Sequence, residues 1–578
     1  MTSRKINVLY INLTTQTFRL ENRIDLARYI GGTGLAARLL EETIHAELDP
    51  LDPAQPMVIA IGPLNLIMPA CTKVVSTFYS PHTGEYGESH AGGRLGAAMR
   101  LAGFDALVLT GRARHPLYLV IADKVEFRDA RALWNMPVAD AGKVLRRFTT
   151  GSKVRSFLTI GRAGENMISY ACVNVDSHRH FGRLGLGAVM GSKLLKGMVV
   201  IGDRLMPIPR GQQNKYRKIY DHLYDKVVNT DLMDKYHEVG TAINIMQLND
   251  INSLPAYNLT ASRIDFSRQI SGERFACHNL IRKVACLGCP IGCIHIGQLR
   301  RQFDRGYEYE TVNISYDYEL IFALGSFLGL QNTSDILQLI DVVEREGLDA
   351  ISTGVVLGWA TECYKQGIID QDDTLIPLDF GLVSNYMEAV HYLATAKNDF
   401  YRSLGKGVAY ASEYYGGSDF ACHLGNNEMP GYHTGYGSVV GCAAGSRHSH
   451  LDNAGYALDQ SRTPIDKMGT LLFEEEVERN ILTSMVICLF ARQIYTLEVV
   501  LECLDAIGMP TSHRELTSLG KDILKTKYDI KYKTGFELAN IKIPPRFFAT
   551  PTCNGYLDEN NAHLVLKQYQ TKINSLFT

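Results

Sequence analysis

Three cysteines at close spacing carry the clearest chemical signal in the sequence. Cys286, Cys289 and Cys293 form a C-x2-C-x3-C motif within the segment CLGCPIGC. This spacing places three thiols at one end of a tight turn, and Gly288 and Gly292 allow the backbone to wrap closely around an inorganic core. The motif therefore suits three corners of a cubane iron–sulfur cluster whose fourth ligand comes from elsewhere.

The same spacing is compatible with other chemistry. A tetrahedral zinc site could form with Cys277, His278 or His295 as the fourth ligand, and the thiols could also stay unliganded in the core. In a chain of this size without an export signal, the 12 cysteines are expected to be reduced thiols or metal ligands. Spacing alone leaves iron–sulfur and zinc both open.

Three glycine-rich segments indicate a site for a large phosphorylated cofactor. They lie at residues 31–35, 80–96 and 179–193. Glycine lets backbone N–H groups approach phosphate oxygens, and nearby arginine and lysine side chains balance the charge. No GxxxxGK[ST] motif is present, and the third segment lacks the context of a dinucleotide fingerprint. Each segment alone is more often a structural turn, so the prediction depends on the three together.

Two other segments contain groups that could move protons. Residues 447–453 hold His448 and His450 together with an arginine and an aspartate, in a glycine-rich part of the chain. This density favours a functional site over isolated structural histidines. Glu308 and Glu310 stand in the segment EYET, which by residue type alone indicates an exposed acidic strand.

These residues must be positioned by two different kinds of structure. The 578 residues predict two to four domains. Short β-branched runs at residues 5–13, 106–110, 117–121 and 198–201 alternate with glycine-rich turns, whereas residues 214–229, 334–345 and 472–500 show helical spacing. We expect an α+β protein with a sheet-rich domain at 1–207 and mainly helical domains at 208–405 and 406–578. The boundaries fall near Pro207 and residues 404–407.

Charge and hydropathy limit the partners. The 59 basic and 61 acidic side chains give a formal charge of −2, which argues against nucleic acid or an anionic membrane as the main partner. The N-terminus has no long apolar stretch, and the most apolar early segment is too short and broken to span a bilayer. A cytoplasmic protein is expected.

Together these residues resemble the aldehyde ferredoxin oxidoreductase family, whose enzymes carry tungsten on two pyranopterins. The resemblance covers nearly the whole chain and is strongest at residues 31–40, 62–134, 161–200, 286–293 and 307–354. It implies a [4Fe–4S] cluster on the cysteine motif, with Cys488 as the fourth ligand. It also implies that the sheet-rich domain forms a base under the cofactor and that the helical domains close over it.

The resemblance implies the cofactor contacts as well. Pterin sulfurs hold the metal, so no protein ligand is required, and Mg²⁺ bridges the pterin phosphates. The implied phosphate and pterin contacts are Lys73, His90, Gly92, Gly93, Arg179, His180, Gly182 and Arg183. Two further pterin motifs contribute Glu344, Gly347, Leu348 and Asp349 in one case and Ile487 in the other. Well-known members have arginine and asparagine at the positions of Lys73 and His90. Glutamate replaces the leading aspartate of the first motif, and the second has lost its aspartate and glycine, so the chain looks like a divergent member.

Oxidising an aldehyde to an acid requires attack of water on the carbonyl, removal of two electrons and removal of protons. A carboxylate with a raised pKa or a histidine can handle the protons. The family match makes Glu310 the first candidate and Glu308 the second, and it leaves His448 and His450 as alternatives for an active-site histidine. Further candidates are Tyr432 and His433 in the substrate channel and Cys442 near the metal.

Three functions follow from this reading. The first is a tungsten- or molybdenum-dependent oxidation of a small aldehyde. Because a single cluster motif is visible, the electrons need an external acceptor, either ferredoxin or a multi-cluster iron–sulfur subunit in a homo- or hetero-oligomer. The second is a low-potential reductase of the same superfamily acting on another substrate, such as an aromatic acyl-CoA. The third, from a different class, is a zinc-stabilised binding protein without redox activity.

Overall fold

The computed structural model describes residues 5–149, 153–206, 212–231, 233–304, 306 and 308–578. Within them the strands are β1 (Asn7–Asn12), β2 (Thr17–Asn22), β3 (Met57–Ala60), β4 (Val74–Tyr79), β5 (Tyr86–Ala91), β6 (Ala106–Thr110), β7 (Leu117–Ile121), β8 (Val125–Asp129), β9 (Val154–Thr159), β10 (Val173–Val175), β11 (Arg179–Phe181), β12 (Leu195–Gly202), β13 (Leu280–Val284), β14 (Ile294–Asp304), β15 (Glu308–Tyr316), β16 (His423–Leu424) and β17 (Asn427–Glu428).

The α-helices of the described residues are α1 (Gly32–Thr43), α2 (Leu95–Ala102), α3 (Val138–Phe148), α4 (Arg162–Glu165), α5 (Leu186–Ser192), α6 (Gln213–Val228), α7 (Asn244–Asp250), α8 (Gly272–His278), α9 (Tyr318–Leu324), α10 (Thr333–Glu346), α11 (Ala350–Gln366), α12 (Gln371–Thr374), α13 (Val383–Ala394), α14 (Asp399–Leu404), α15 (Val408–Tyr415), α16 (Tyr436–Ala444), α17 (Gly455–Gln460), α18 (Ile465–Ser484), α19 (Leu497–Ala506), α20 (His513–Lys533), α21 (Arg546–Ala549) and α22 (Glu559–Asn574).

The N-terminal part contains two mixed six-stranded sheets. Their strand orders are β2-β1-β6-β3-β4-β5 and β11-β10-β9-β12-β7-β8. All neighbours pair antiparallel except β1 with β6 and β12 with β7. Strands β3 and β4 are buried along their whole length, as apolar strands covered on both faces should be. The edge strands β5 and β11 contact each other, so the two sheets meet there.

The remaining part is mainly helical. Helix α11 is apolar on nearly all sides and almost entirely buried, which places it in the core. It packs on α9, while α18 packs on α20 and α22. The Asp349 carboxylate begins α11 by accepting the backbone N–H groups of Ile351 and Ser352 at 3.0 and 3.2 Å, a capping arrangement that satisfies otherwise unpaired donors.

The expected α+β class is confirmed, with a sheet-rich N-terminal part followed by helices. Strands β6 and β7 have the predicted bounds, helix α6 begins and ends one residue earlier than predicted, and helix α10 extends the prediction by one residue at each end. The predicted boundary near Pro207 lies in residues 207–211, outside the described part of the chain. The boundary near residue 405 stays a prediction.

One long predicted helix is broken. Residues 472–500 do not form a single helix, because α18 ends at Ser484 and α19 begins at Leu497. Between them Val486 adopts a left-handed backbone (φ +59), which is unfavourable for a β-branched residue. The break turns the chain out of the helix and presents Cys488 beside the N-terminal sheets.

Among the described residues, no single helix is long and apolar enough to cross a membrane. The segments Tyr318–Leu328 and Thr333–Glu346 meet that test together by length and composition alone, with a bend of 111° between them.

Candidate functional site

A cavity of about 350 Å³ lies where the edge strands of the two sheets meet the ends of several helices. Strands β5 and β11 supply one side, and the segments before α9, after α10 and after α18 supply the other. The residues expected from the sequence that line it are Lys73, His90, Gly92, Arg179, His180, Gly182, Arg183, Cys293, Glu344, Leu348, Asp349, His450, Ile487 and Cys488. The structure thus brings together side chains separated by more than 400 positions.

Two arginines on the β11 side have donors without partners. Arg179 is partly buried, its Nη2 lies 3.9 Å from Cys293 Sγ, and its buried Nε has no hydrogen-bond partner. Arg183 donates to Asp349 at 3.1 Å and to the Glu428 carbonyl at 2.7 Å. Its buried Nη1 has no hydrogen-bond partner. A buried donor without an acceptor is unfavourable, so both guanidinium groups are suited to an anionic ligand in the cavity.

The histidines on this side are neutral. Burial lowers the pKa of His90 to about 4, with repulsion from Arg447 as the next cause, although Glu88 accepts from its Nε2 at 2.6 Å. Burial also lowers the pKa of His180 to about 4, with Arg179 as the next cause. Neutral imidazoles can donate and accept hydrogen bonds without adding charge.

Of the four glycines expected at the cofactor, Gly92 and Gly182 line the cavity, whereas Gly93 and Gly347 do not. A Cβ added to Gly182 would meet nothing within 4 Å, whereas one added to Gly92 would lie 2.7 Å from Cys286 Sγ. Gly93 and Gly347 do not line the cavity. Gly93 has φ +100 and donates its N–H to Cys286 Sγ at 3.2 Å, and Gly347 has φ +78 and ends α10. Both positions have a backbone conformation that favours glycine, and their contact with a cofactor stays a prediction.

The cysteine motif lies in the loop between β13 and β14. Ala70 connects this loop to the segment after α18, because its N–H donates to the Gly288 carbonyl at 3.2 Å and its carbonyl accepts the Cys488 N–H at 3.0 Å. Burial raises the pKa of Cys289, and nearby Cys488, Cys286 and Cys293 raise it further. The four cysteines implied by the resemblance are therefore near one another.

Cys286 differs from the other thiols of the motif. Burial raises its pKa, but Arg179 and Lys73 outweigh that effect and hold the pKa below its usual range. Burial raises the pKa of Cys293 to about 11, against the opposing effect of Arg179. Positive side chains beside thiols favour the thiolate, which is the form that binds metals.

The alternative zinc ligands lie elsewhere. Cys277 and His278 are exposed on α8, and His295 is buried with Nε2 2.9 Å from the His237 carbonyl. Throughout the described residues, no three histidine, cysteine or acidic side chains lie close enough together to hold a single ion.

Glu319, which the sequence reading did not select, is the carboxyl group with the clearest proton-transfer character. It lies in the first turn of α9 and lines the cavity. Tyr432 donates its hydroxyl to Oε1 at 3.0 Å, and His450 Nε2 lies 3.5 Å from the same oxygen. Burial, followed by repulsion from Asp317, raises the pKa of Glu319 to about 7. A carboxyl group with this pKa can both take and release a proton at neutral pH.

The two histidine candidates occupy different places. His450 lines the cavity and packs against Tyr432 with ring centroids 4.9 Å apart. Burial, with repulsion from Arg183, lowers the pKa of His450 to about 3, so its imidazole is neutral. His448 does not line the cavity, since Nε2 lies 2.9 Å from Lys531 Nζ and Nδ1 lies 3.0 Å from the Ala443 carbonyl.

The two glutamates expected to transfer protons lie outside the cavity, as do His433, expected in the substrate channel, and Cys442, expected near the metal. Glu310 pairs with Arg301 at 2.6 Å and its side chain is 40% exposed, and Glu308 is exposed on the same hairpin. The acidic end of β15 points to solvent, so the geometry does not favour these two residues, and their role in proton transfer stays a prediction. His433 bonds the Thr550 carbonyl at 3.0 Å and Cys442 is buried in α16, and neither lines the cavity.

Two acidic residues of the first pterin motif have distinct environments. Burial, followed by repulsion from Asp341, raises the pKa of Glu344 to about 8. Its carboxyl group is therefore largely protonated at pH 7 and can donate a hydrogen bond into the cavity. Asp349 lines the cavity but is already engaged as the α11 cap and the partner of Arg183.

Comparison with known families decides which group of proteins this is. Residues 8–202 match the family model described as aldehyde ferredoxin oxidoreductase, N-terminal domain, and residues 218–572 match the model for domains 2 and 3 of the same family. The chain belongs to the aldehyde ferredoxin oxidoreductase family. It is accordingly an oxidoreductase enzyme, and the resemblance seen in the sequence is confirmed.

Relatives support the assignment along the full length. Tungsten-containing aldehyde ferredoxin oxidoreductases of Pyrococcus furiosus and Thermococcus kodakarensis are each 29% identical over 96% of this chain and 93% of theirs. A P. furiosus protein named aliphatic sulfonate oxidoreductase, WOR-like subunit, is 29% identical over 67% of this chain and 63% of its own.

A solved structure shares the family fold. The active site complex BamBC of benzoyl coenzyme A reductase with 1,5-dienoyl-CoA superposes with a TM-score of 0.83, over 98% of this chain and 95% of that one, at 18% identity. At this identity the likeness establishes the fold alone.

Proposed function

We propose that the chain is a tungsten- or molybdenum-pterin oxidoreductase that oxidises an aldehyde to a carboxylic acid and releases electrons through a [4Fe–4S] cluster to ferredoxin or an iron–sulfur subunit. One observation carries the proposal: a single cavity contains thiols and unsatisfied arginine donors together with the Glu319–His450 pair. Electron-transfer ligands, anion-binding groups and a proton acceptor thus open onto the same space.

The cavity residues fit a pterin-bound metal with phosphate groups. The unpartnered Arg179 Nε and Arg183 Nη1 would hold phosphate oxygens, with Lys73 as a further cation. The open space at Gly182 admits a ligand close to the backbone, and the protonated Glu344 suits a hydrogen bond to a neutral heterocycle. A Mg²⁺ ion that would offset the charge of the phosphate groups belongs to the same proposal.

The cluster would be held by the thiols of Cys286, Cys289, Cys293 and Cys488. Three of them lie in one loop, and the fourth is positioned by the break after α18. A C-x2-C-x3-C loop with a fourth cysteine from elsewhere in the chain suits a multi-iron core. Arg179 and Lys73 stabilise negative charge at this end of the cavity.

The protein's own groups account for the proton steps. Oxidation converts an aldehyde and water into a carboxylic acid, two electrons and two protons, and the bound metal centre supplies the two-electron acceptor. Glu319 as carboxylate takes a proton from water that attacks the carbonyl carbon. Tyr432 holds the Glu319 carboxyl group in place, and neutral His450 can donate a hydrogen bond to the developing carbonyl oxygen.

The direct test is an anaerobic assay of the purified holoenzyme with a panel of aldehydes and oxidised benzyl viologen as acceptor. Carboxylate formation in step with dye reduction supports the proposal. Reduction of an aromatic acyl-CoA by a low-potential donor, without aldehyde oxidation, would instead favour the second function, a ring-reducing enzyme. The cytoplasmic location stays a prediction.

Gly182→Ala is expected to leave the fold unchanged and to lower the tungsten or molybdenum content. The added methyl group meets no protein atom within 4 Å, so it would occupy only space that the proposed cofactor needs. Metal analysis and the unfolding temperature are measured together. The control Gly142→Ala adds a methyl group in open space on α3, and it should alter neither metal content nor assay. Full metal content in Gly182→Ala would contradict the cofactor placement.

A further inference from the structure

A chain of hydrogen bonds leads away from the cavity at Asp349, which lines it. Asp349 Oδ2 lies 2.6 Å from Ser352 Oγ, and the same Oγ lies 2.7 Å from Glu428 Oε2. Glu428 Oε2 lies 2.7 Å from His82 Nε2, and His82 Nδ1 lies 2.9 Å from Ser169 Oγ. Each of these side chains can accept or donate a hydrogen, so the chain is continuous from the cavity to Ser169.

Protein encloses this chain along most of its length. Ser352 and Glu428 have no solvent exposure, and the other three side chains belong to buried residues. Ser169, at the far end, is 5% exposed, and Met167 two positions before it is 47% exposed. The chain therefore runs from the cavity through the interior and ends next to the surface.

The Ser352 hydroxyl stands between two carboxyl groups. It has one hydrogen, but its oxygen is within hydrogen-bond distance of both Asp349 and Glu428. A hydroxyl donates to one acceptor at a time, so both contacts hold a hydrogen only when one of the two carboxyl groups is protonated. Two buried oxygens in contact without a hydrogen between them are unfavourable. This geometry suits a proton that moves between the carboxyl groups through the serine.

The second half of the chain directs the proton away from the cavity. Burial raises the pKa of Glu428, but the charge of His82 and hydrogen bonds from His82 and Ser352 outweigh burial and lower the pKa to about 2. A proton that reaches Glu428 therefore passes on to the imidazole and does not stay on the carboxyl group. Imidazole can take up a proton at one ring nitrogen and release another from the second. Here Nε2 faces Glu428 and Nδ1 faces Ser169.

Other titratable groups near Glu428 and His82 keep a fixed charge at neutral pH. Arg183 is a cation and donates to the Glu428 carbonyl at 2.7 Å. Burial lowers the pKa of His423 to about 4, so this imidazole is neutral. Tyr170 packs edge-on against His82 with ring centroids 5.5 Å apart, and burial raises the pKa of its phenol. These neighbours do not compete for a proton that moves along the chain.

We propose that these five side chains form a proton relay that carries a proton from the cavity to the protein surface. Its members, in order, are Asp349, Ser352, Glu428, His82 and Ser169. The inference rests on the proposed function, because aldehyde oxidation releases two protons into the cavity. Glu319 takes up a proton there, and water in the cavity passes it to Asp349. At each step one O–H or N–H bond forms as the next one breaks, so one proton enters at Asp349, one leaves at Ser169 and no electron moves.

The test uses two variants that interrupt the proton relay at different points. Ser352→Ala removes the hydroxyl between the carboxyl groups, and Glu428→Gln keeps the side-chain shape but replaces the carboxyl group with an amide. The matched control is Ser412→Ala, which changes a buried serine on α15 whose Oγ donates to the Ala409 carbonyl at 3.0 Å. In single turnovers of the anaerobic holoenzyme with an aldehyde, a pH-indicator dye records proton release and chromatography records the carboxylate.

The wild type and Ser412→Ala should release protons into solution as fast as carboxylate forms. In Ser352→Ala and Glu428→Gln, proton release should be slower by about tenfold or more. Steady-state kcat should fall by a similar factor with little change in KM, and its solvent deuterium isotope effect should increase, because proton transfer then limits turnover. A purely structural role for the network would not increase the isotope effect.

Metal content and unfolding temperature are measured in all four proteins. Proton release and kcat equal to the wild type in both variants overturn the proton relay while the proposed function stands. Loss of metal from both variants also overturns it, because the network would then serve only to hold the site together. If one variant loses metal, the result for the other decides. A metal-loaded wild type that oxidises no aldehyde refutes the proposed function itself, and the proton relay falls with it.

Discussion

Glu319→Gln is expected to lower kcat/KM for aldehyde oxidation by about 10²–10⁴, the usual contribution of a positioned proton acceptor. The amide has the same shape and can still accept the Tyr432 hydroxyl, so the fold and the metal content should be unchanged. Steady-state kinetics with viologen as acceptor, normalised to metal content, measure the effect.

The pH profile adds a readout that a structural role would not alter. Since burial and Asp317 raise the pKa of Glu319 to about 7, the carboxylate needed as a base forms only as the pH passes that value. Wild-type kcat/KM should rise with pH around 7, and this rising limb should disappear in Glu319→Gln. His450 does not produce such a limb, because its pKa of about 3 keeps it neutral.

Glu310→Gln is the matched control for this prediction. Glu310 lies outside the cavity and pairs with Arg301, so its loss should change kcat/KM little. A large loss of activity in Glu310→Gln with near-normal Glu319→Gln would restore the assignment made from the sequence and contradict the geometry.

Cys488→Ser is expected to remove the cubane cluster or convert it to a form with fewer irons. The hydroxyl is a much poorer iron ligand than a thiolate, and the segment is fixed to Ala70 through its backbone, so the fold should persist. Iron content and the visible absorption of anaerobic protein are the measurements. Electron transfer to ferredoxin should be lost with the cluster.

Cys71→Ser provides the control for the cluster prediction. Cys71 is buried near the same thiols, and burial followed by Cys503 raises its pKa. A Cys71→Ser variant with normal iron beside an iron-poor Cys488→Ser supports Cys488 as the fourth ligand. The opposite pattern would assign that place to Cys71.

The parts of this site with a local pattern could be predicted from sequence. Spacing identified the C-x2-C-x3-C loop, and the glycine-rich segments identified β5 and β11, whose edges line the cavity. The periodicity of apolar residues separated the sheet-rich part from the helical part. This periodicity differs between strands and helices, because it follows from which face of each element is buried.

Sequence alone could not select Glu319 over Glu310, because the two glutamates differ in burial and not in the residue that precedes them. Both glutamates follow a tyrosine, in Tyr309-Glu310 and in Tyr318-Glu319. One pair lies at the exposed end of a hairpin, and the other begins a buried helix. The aspartate cap Asp317 just before an apolar run was the available signal, since it predicts a helix start whose first turn faces the interior.

The local sequence could not show which of His448 and His450 lines the cavity either. The two side chains diverge because His448 has a left-handed backbone (φ +53), and its partner Lys531 comes from a distant helix. The break after α18 has a similar origin. Apolar spacing continues through residues 485–496, and only packing against the sheets explains the turn at Val486.

The proposed function requires an iron–sulfur cluster beside a pterin-bound metal in this chain. Metal analysis of anaerobically purified native protein, by plasma mass spectrometry for iron, tungsten, molybdenum, magnesium and zinc, tests it most directly. A cubane cluster beside one pterin-bound metal predicts about four irons and about one tungsten or molybdenum per chain. Stoichiometric zinc without iron, tungsten or molybdenum would contradict it and would make the cysteine loop a structural zinc site.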